Sequence, residues 1–211
     1  MTGLTQLLDT PQWLALAAAL GWASGIRLYA AVFMVGMAGY TGWLALPEGL
    51  QVLQHPVMLG ASGVMLLMEF FADKIPVLDT LWDAVHTVIR IPAGAALAAG
   101  ALSTVGADSA TVSSVAALLG GTLAAASHAT KMTTRAAVNT SPEPFSNIAV
   151  SLFEDGLVVA ALWLAANHPL LFGVALVATL MAMAFLLVVL VKFLKALLKR
   201  LGTWFGGLGA A

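Results

Sequence analysis

The sequence predicts an all-α protein, a polytopic transmembrane helix bundle of about six spans, forming a single membrane domain across residues 1–211. Three observations carry that prediction. Of the 211 residues, 61% are hydrophobic and only 9% are charged, whereas soluble domains average roughly 45–50% apolar and about 25% charged residues. Mean hydropathy is +0.97. Apolar runs recur along the chain at lengths near the roughly 20 residues that a hydrocarbon core requires of a helix.

The runs follow one another between charges and prolines. The first extends from Pro11 to about Leu46, too long for one straight span, with Ser24-Gly25 as the expected break. The second opens at Pro56, where a missing N–H costs a helix nothing, and reaches Glu69 to Asp73. The third runs from near Val77 to near Val105, with acidic residues in its first half and an Ala/Gly-rich second half suited to close helix packing. The fourth covers Ala110 to Ala126 and turns polar at His128, and the fifth runs from about Phe145 to Ala166 with Glu154 and Asp155 inside it. The sixth, Pro169 to Val191, contains no charge. Between the fourth and fifth, the stretch from Asn139 through Pro142, Glu143 and Pro144 has turn chemistry.

Basic residues set the orientation. Lys192, Lys195, Lys199 and Arg200 follow the last span, and residues 192–211 read as a basic cytoplasmic tail with Trp204 at the interface. Placing that tail inside also puts Lys74, Arg90, Lys131 and Arg135 at or toward the inner side, which leaves Arg27 alone at membrane depth. The expectation is a cell inner (plasma) membrane protein with both termini in the cytoplasm. The residues before the first run carry Asp9 and no Lys or Arg, unlike the basic start of a cleaved signal. Net charge is −1, and no basic stripe outside the tail suggests nucleic acid. With no cysteine, disulfides, thiolate metal sites and cysteine catalysis are excluded.

A weak internal similarity links the halves 11–105 and 110–191. Ala23-Ser24-Gly25 with Arg27 and Ala30-Ala31-Val32 parallels Ala126-Ser127-His128 with Lys131, Arg135 and Ala136-Ala137-Val138, although a three-residue shift intervenes. Three spans per half would make the second repeat inverted, a recurring plan in transporters.

Charges inside a membrane are costly unless paired or wetted, so their positions carry the functional signal. Glu69 and Asp73 are four apart; Asp79, Asp83, His86 and Arg90 follow at spacings of four, three and four and share one helix face. Leu78, Leu81, Trp82, Val85 and Ile89 occupy the other side. His128, Lys131 and Arg135 form a basic face, and Glu154 returns acid to the fifth span. The leading expectation is a small transporter or channel-like carrier. Its cytoplasm-facing charged cavity would be lined by Arg27, Glu69, Asp73, Asp79, Asp83, His86, His128, Lys131, Arg135 and Glu154 and would accept a polar or charged solute. Arg27 reads equally as a contact for an anionic solute and as the buried partner of a carboxylate from the second or fifth span.

Two other readings compete. The charges could form a purely structural ion-pair network in a scaffold or assembly protein. Alternatively, Asp79 and Asp83, with His86 as a weak third ligand, would hold a divalent metal in an enzyme acting on lipid head groups. The metal reading is disfavoured by Arg90 on the same face. No catalytic set is assigned and no cofactor is expected. The expected partners are the lipid bilayer and a small polar or ionic solute, and self-association stays open.

The strings Ala23-Ser24-Gly25-Ile26-Arg27, Glu69-Phe70-Phe71-Ala72-Asp73-Lys74-Ile75-Pro76 with Asp79 and Asp83, His128-Ala129-Thr130-Lys131 with Arg135, and Leu152-Phe153-Glu154-Asp155 resemble a bacterial integral-membrane family. That family is catalogued as domain of unknown function 4126. The resemblance spans nearly the whole chain, implies that these strings act as a unit in a bacterial inner membrane, and implies no activity.

Overall fold

Six long helices and one short 3-10 helix make up the chain in a computed structural model that describes residues 9–75, 77–105, 108–140 and 145–208, with side chains as far as Arg200. The expectations placed on Pro76, the Pro142-Glu143-Pro144 turn and the Trp204 side chain lie outside the described residues.

Helix α1 is Thr10–Tyr40, α2 Pro56–Ala72, α3 Leu78–Ala101, α4 Ser109–Val138, α5 Phe145–Asn167 and α6 Pro169–Leu208. The 3-10 helix, Glu48–Gln54, precedes α2 at a bend of 69°, and sequence reasoning had assigned no element to it. Five of the long helices are long and apolar enough to cross a membrane, and the bent pair makes a sixth if counted as one span. Local chemistry sets their starts. Pro11 sits in the first turn of α1, where the Asp9 backbone N–H donates to Gln12 Oε1 at 2.7 Å. Pro56 opens α2, and the Asp108 carboxylate caps α4 by accepting from the Thr111 N–H at 3.2 Å. Hydrogen bonds from Thr111 hold the Asp108 carboxyl below its usual range.

Helix α1 is the axis of the bundle and packs against every other long helix. Small residues make this possible. A Cβ on Gly21 would stand 2.6 Å from Gly120 Cα, and one on Gly25 would run into Ser127 Oγ and the Ala124 carbonyl, so α1 and α4 meet backbone to backbone. On α3, Gly94 lies against Ser24 and Ala124, so the Ala/Gly-rich half of that helix serves packing as its composition suggests.

The amphipathic face of α3 is turned inside out relative to a soluble helix. Asp79, Asp83, His86 and Arg90 are buried, while Leu78, Leu81, Val85 and Ile89 are exposed on the outer surface. A bilayer reverses the choice that water would impose, because lipid solvates the apolar face and the charges must find partners inside.

Two expected boundaries move. The chain does not break at Ser24-Gly25: Ser24 Oγ donates to the Gly21 carbonyl at 2.7 Å, a bond compatible with the helix, and Gly25 is pressed against α4. The break falls at Arg27, whose φ of −141° and ψ of 73° interrupt α1. Helix α4 does not end at the polar turn near Ala126 but continues to Val138, because His128, Lys131 and Arg135 are buried against partners rather than solvated. The stretch after Val191 continues α6 without interruption to Leu208. At 1.5 Å per residue a helix of 40 residues reaches about 60 Å, roughly twice a hydrocarbon core.

Candidate functional site

The break in α1 lies in the middle of the bundle, and side chains from two other helices reach the carbonyls beside it. Arg90 of α3 donates through one terminal nitrogen to Gly25 O at 3.1 Å and Ile26 O at 2.5 Å. Lys131 of α4 donates to Ile26 O at 3.1 Å, and His128 Nδ1 lies 3.2 Å from Gly25 O, which can only accept. Cations take the place of the missing helical N–H groups, as a dry environment demands.

The same cations bind carboxylates. The second terminal nitrogen of Arg90 lies 2.5 Å from Glu69 and 2.9 Å from Asp83. Asp73 Oδ2 is the hub, at 2.5 Å from Arg27, 2.8 Å from Lys131 and 3.6 Å from Arg135. Arg27 also pairs with Asp155 at 2.9 Å and donates to Ser151 Oγ at 2.8 Å. Arg135 pairs with Glu154 at 2.7 Å and donates to Asn147 Oδ1, also at 2.7 Å. Glu69, Asp73, Arg27 and Arg90 have no solvent-accessible surface, and Glu154 keeps 7%.

The structure therefore gathers Arg27, Glu69, Asp73, Asp83, Lys131, Arg135 and Glu154 into one cluster, with His128 at its edge sharing a hydrogen bond with Thr87 at 2.7 Å. The other two candidates stand apart. Asp79 accepts from Asn139 at 2.9 Å and Asn147 at 3.3 Å. His86 stacks on Trp82, with 4.1 Å between ring centroids, and is bonded through Nδ1 to the Trp82 carbonyl. Asp79, Asp83 and His86 thus face separate partners, and among the described residues no group of three His, Cys, Asp or Glu side chains is arranged to hold a metal.

The open charged cavity expected from the sequence is closed here into direct ion pairs. The described crevices have largely apolar walls; the largest, about 480 Å³, reaches the cluster only at Lys131 and Glu154. Arg27, Arg90, Lys131 and Arg135 each find a countercharge within 3 Å, beside the close small-residue packing of α1, α3 and α4. Even so, Glu69 Oε2, Asp73 Oδ1 and Asp83 Oδ2 are buried and make no hydrogen bond.

Sequence reasoning missed Asn147 and Ser151 as members of the site, whereas the pairing of Arg27 with carboxylates from the second and fifth spans is one of its two readings of that residue. A signal existed: Asn147, Ser151, Glu154 and Val158 recur at spacings of four, three and four and are all buried, so small polar residues mark the inner face of α5. Ser151 Oγ also accepts from Lys74 at 3.2 Å, which ties the α2–α3 turn to α5.

A helical bundle with several long apolar spans and a buried, two-signed charge cluster defines the class: a multipass membrane protein. Residues 14–189 match the family described as Domain of unknown function (DUF4126), and the chain belongs to that family. No curated protein and no solved structure matches the chain.

Proposed function

We propose that the chain is a small carrier of a polar or ionic solute and that the described conformation is its closed state. The observation that supports this reading best is the break in α1 at Arg27, inside the charge cluster, where the Gly25 and Ile26 carbonyls are bonded by the side chains of Arg90, Lys131 and His128. Interrupted helices with freed backbone groups beside buried charge are a recurring arrangement for solute sites. In this reading, opening the bundle exchanges ion pairs around Asp73 for contacts to the solute, and the unbonded oxygens of Glu69, Asp73 and Asp83 supply further acceptors. The location proposed is an inner membrane with both termini cytoplasmic, supported by the clustering of Lys and Arg in the tail and at the 2–3 and 4–5 connections.

A second reading, a scaffold whose charges only hold the helices together, is favoured by the direct pairing of every cation in the cluster. Proteoliposomes containing the full chain separate the two. Imposed gradients of Na⁺, K⁺, H⁺, choline, chloride and phosphate are expected to yield saturable, protein-dependent flux of at least one species, lowered at least tenfold by Asp83→Asn in a protein that still melts cooperatively. Absence of flux for every solute from folded protein would leave the scaffold reading.

A further inference from the structure

The crevice of about 480 Å³ lies between α4, α5 and α6, with α1 as its floor. Its size falls within the roughly 300–1,000 Å³ typical of small-molecule sites. Only two charged residues line it, Lys131 and Glu154, and they differ in what they offer. The Lys131 ammonium is spent on Ile26 O, Asp73 and Asp83. Glu154 makes its ion pairs to Arg135, Arg27 and Lys131 through Oε2 alone. Its side chain keeps 9% exposure where those of Glu69 and Asp73 keep none. A carboxylate oxygen, Oε1, is thus the charge left for a ligand.

Across the cluster Arg27, Arg90, Lys131 and Arg135 oppose Glu69, Asp73, Asp83, Glu154 and Asp155, with Lys74 at the rim balancing the fifth carboxylate, so the charge the crevice meets is set locally by Glu154. The remaining walls are largely apolar and aromatic, with the hydroxyl side chains of Ser127, Thr130, Thr134 and Thr179 among them. Trp22 forms part of the floor, its indole N–H donated to Met183 Sδ at 3.3 Å, while Phe153 and Leu186 stand exposed at the rim. A hydrated inorganic ion would lose its water against such walls, and an anion would meet the free oxygen of Glu154. A cation that carries its own apolar surface loses little hydration and gains both the carboxylate and the aromatic faces.

We infer that this crevice binds a lipophilic organic cation, of the quaternary ammonium or arylphosphonium type, entering from the lipid past Phe153 and Leu186 and seated with its charge at Glu154. This inference concerns binding and stands whether or not the carrier reading holds; if both hold, such cations are the substrate class.

The test uses the full chain in nanodiscs, with tetraphenylphosphonium as probe and the isosteric anion tetraphenylborate as control, measured by equilibrium dialysis. Saturable binding of the cation, at least tenfold tighter than that of the anion, is expected. Glu154→Gln should weaken it at least tenfold. Because losing Glu154 also disturbs Arg135, the second variant is Ala182→Phe, which fills the crevice from the exposed face of α6 without touching the charge cluster and should abolish binding in a protein of unchanged melting temperature. Equal binding of the two probes would mark an acyl-chain slot and overturn the inference, as would no binding by the wild-type chain or undiminished binding by Ala182→Phe. Flux failing while binding persists would count against the carrier reading alone.

Discussion

Arg27 is held most closely by two acids of unequal standing, Asp73 and Asp155, with Glu154 farther off at 3.8 Å. Asp155 forms an ion pair with Arg27 alone and is 28% exposed, whereas Asp73 serves Arg27, Lys131 and Arg135 together from a fully buried position. Arg27→Ala is expected to destabilise the protein by about 3–5 kcal/mol, the cost of leaving buried carboxylate uncompensated. The two possible second mutations then diverge. Adding Asp155→Ala should recover part of the loss, because it removes a charge whose direct ion pair is with Arg27 and which Lys74 meets only at longer range. Adding Asp73→Ala should deepen the loss, because it strips Lys131 and Arg135 of a shared partner. Thermal or denaturant unfolding of the two double mutants checks this, and equal recovery by both would show that Asp73 is not the hub. Arg27→Lys should fall between wild type and Arg27→Ala, since a single ammonium cannot span Asp73, Asp155 and Ser151 as the planar guanidinium does.

Helix α1 combines two features that would each destabilise it elsewhere, a backbone break and a close backbone approach to α4. They depend on each other. Gly25 lets α4 come near enough for His128 and Lys131 to reach the carbonyls that the break at Arg27 exposes. Gly25→Ala is therefore expected to separate the helices at the point where the released carbonyls need their donors, lowering stability by about 1–3 kcal/mol. Gly60, on the exposed side of α2 with nothing within 4 Å of an added Cβ, supplies the contrast. Gly60→Ala should leave the melting temperature unchanged or higher. Comparable losses from both substitutions would mean that the α1–α4 contact does not govern stability. The inner faces of α3 and α5 were legible as residue spacings, since both helices place polar side chains at intervals of four and three and both bury them. The break in α1 was legible only to within three residues. Ser24 and Gly25 are residues that loosen helices in general, but the site of rupture is decided by where Arg90 and Lys131 deliver their donors.

At the scale of the molecule, α1 is the hub of the fold and the charge cluster the hub of α1. Five long helices surround one central helix, and acids from α2, α3 and α5 converge on cations from α1, α3 and α4. The proposed orientation predicts that a reporter fused after Ala211 is active only in its cytoplasmic form. Activity of a periplasm-dependent reporter at that position would invert the topology and move the Phe153 end of the crevice to the opposite leaflet.

The sequence by itself determined the solvent, the number of long helices and the inner face of α3. Each of these follows from local quantities: hydropathy over about 20 residues, a helical period, and the cost of a charge in lipid. Family membership was legible in the same way, from contiguous strings such as Glu69 through Ile75. Only the tertiary structure decided that the charges close on one another instead of lining a wet cavity, that Asp73 and Glu154 are each shared by Arg27, Lys131 and Arg135, and that Glu154 alone of these acids lines the apolar crevice. The reason is one of distance. Asp73 and Lys131 are separated by 58 positions in the chain, and whether they touch depends on the rotation and spacing of whole helices, set by backbone contacts such as Gly21 on Gly120 that no local pattern encodes.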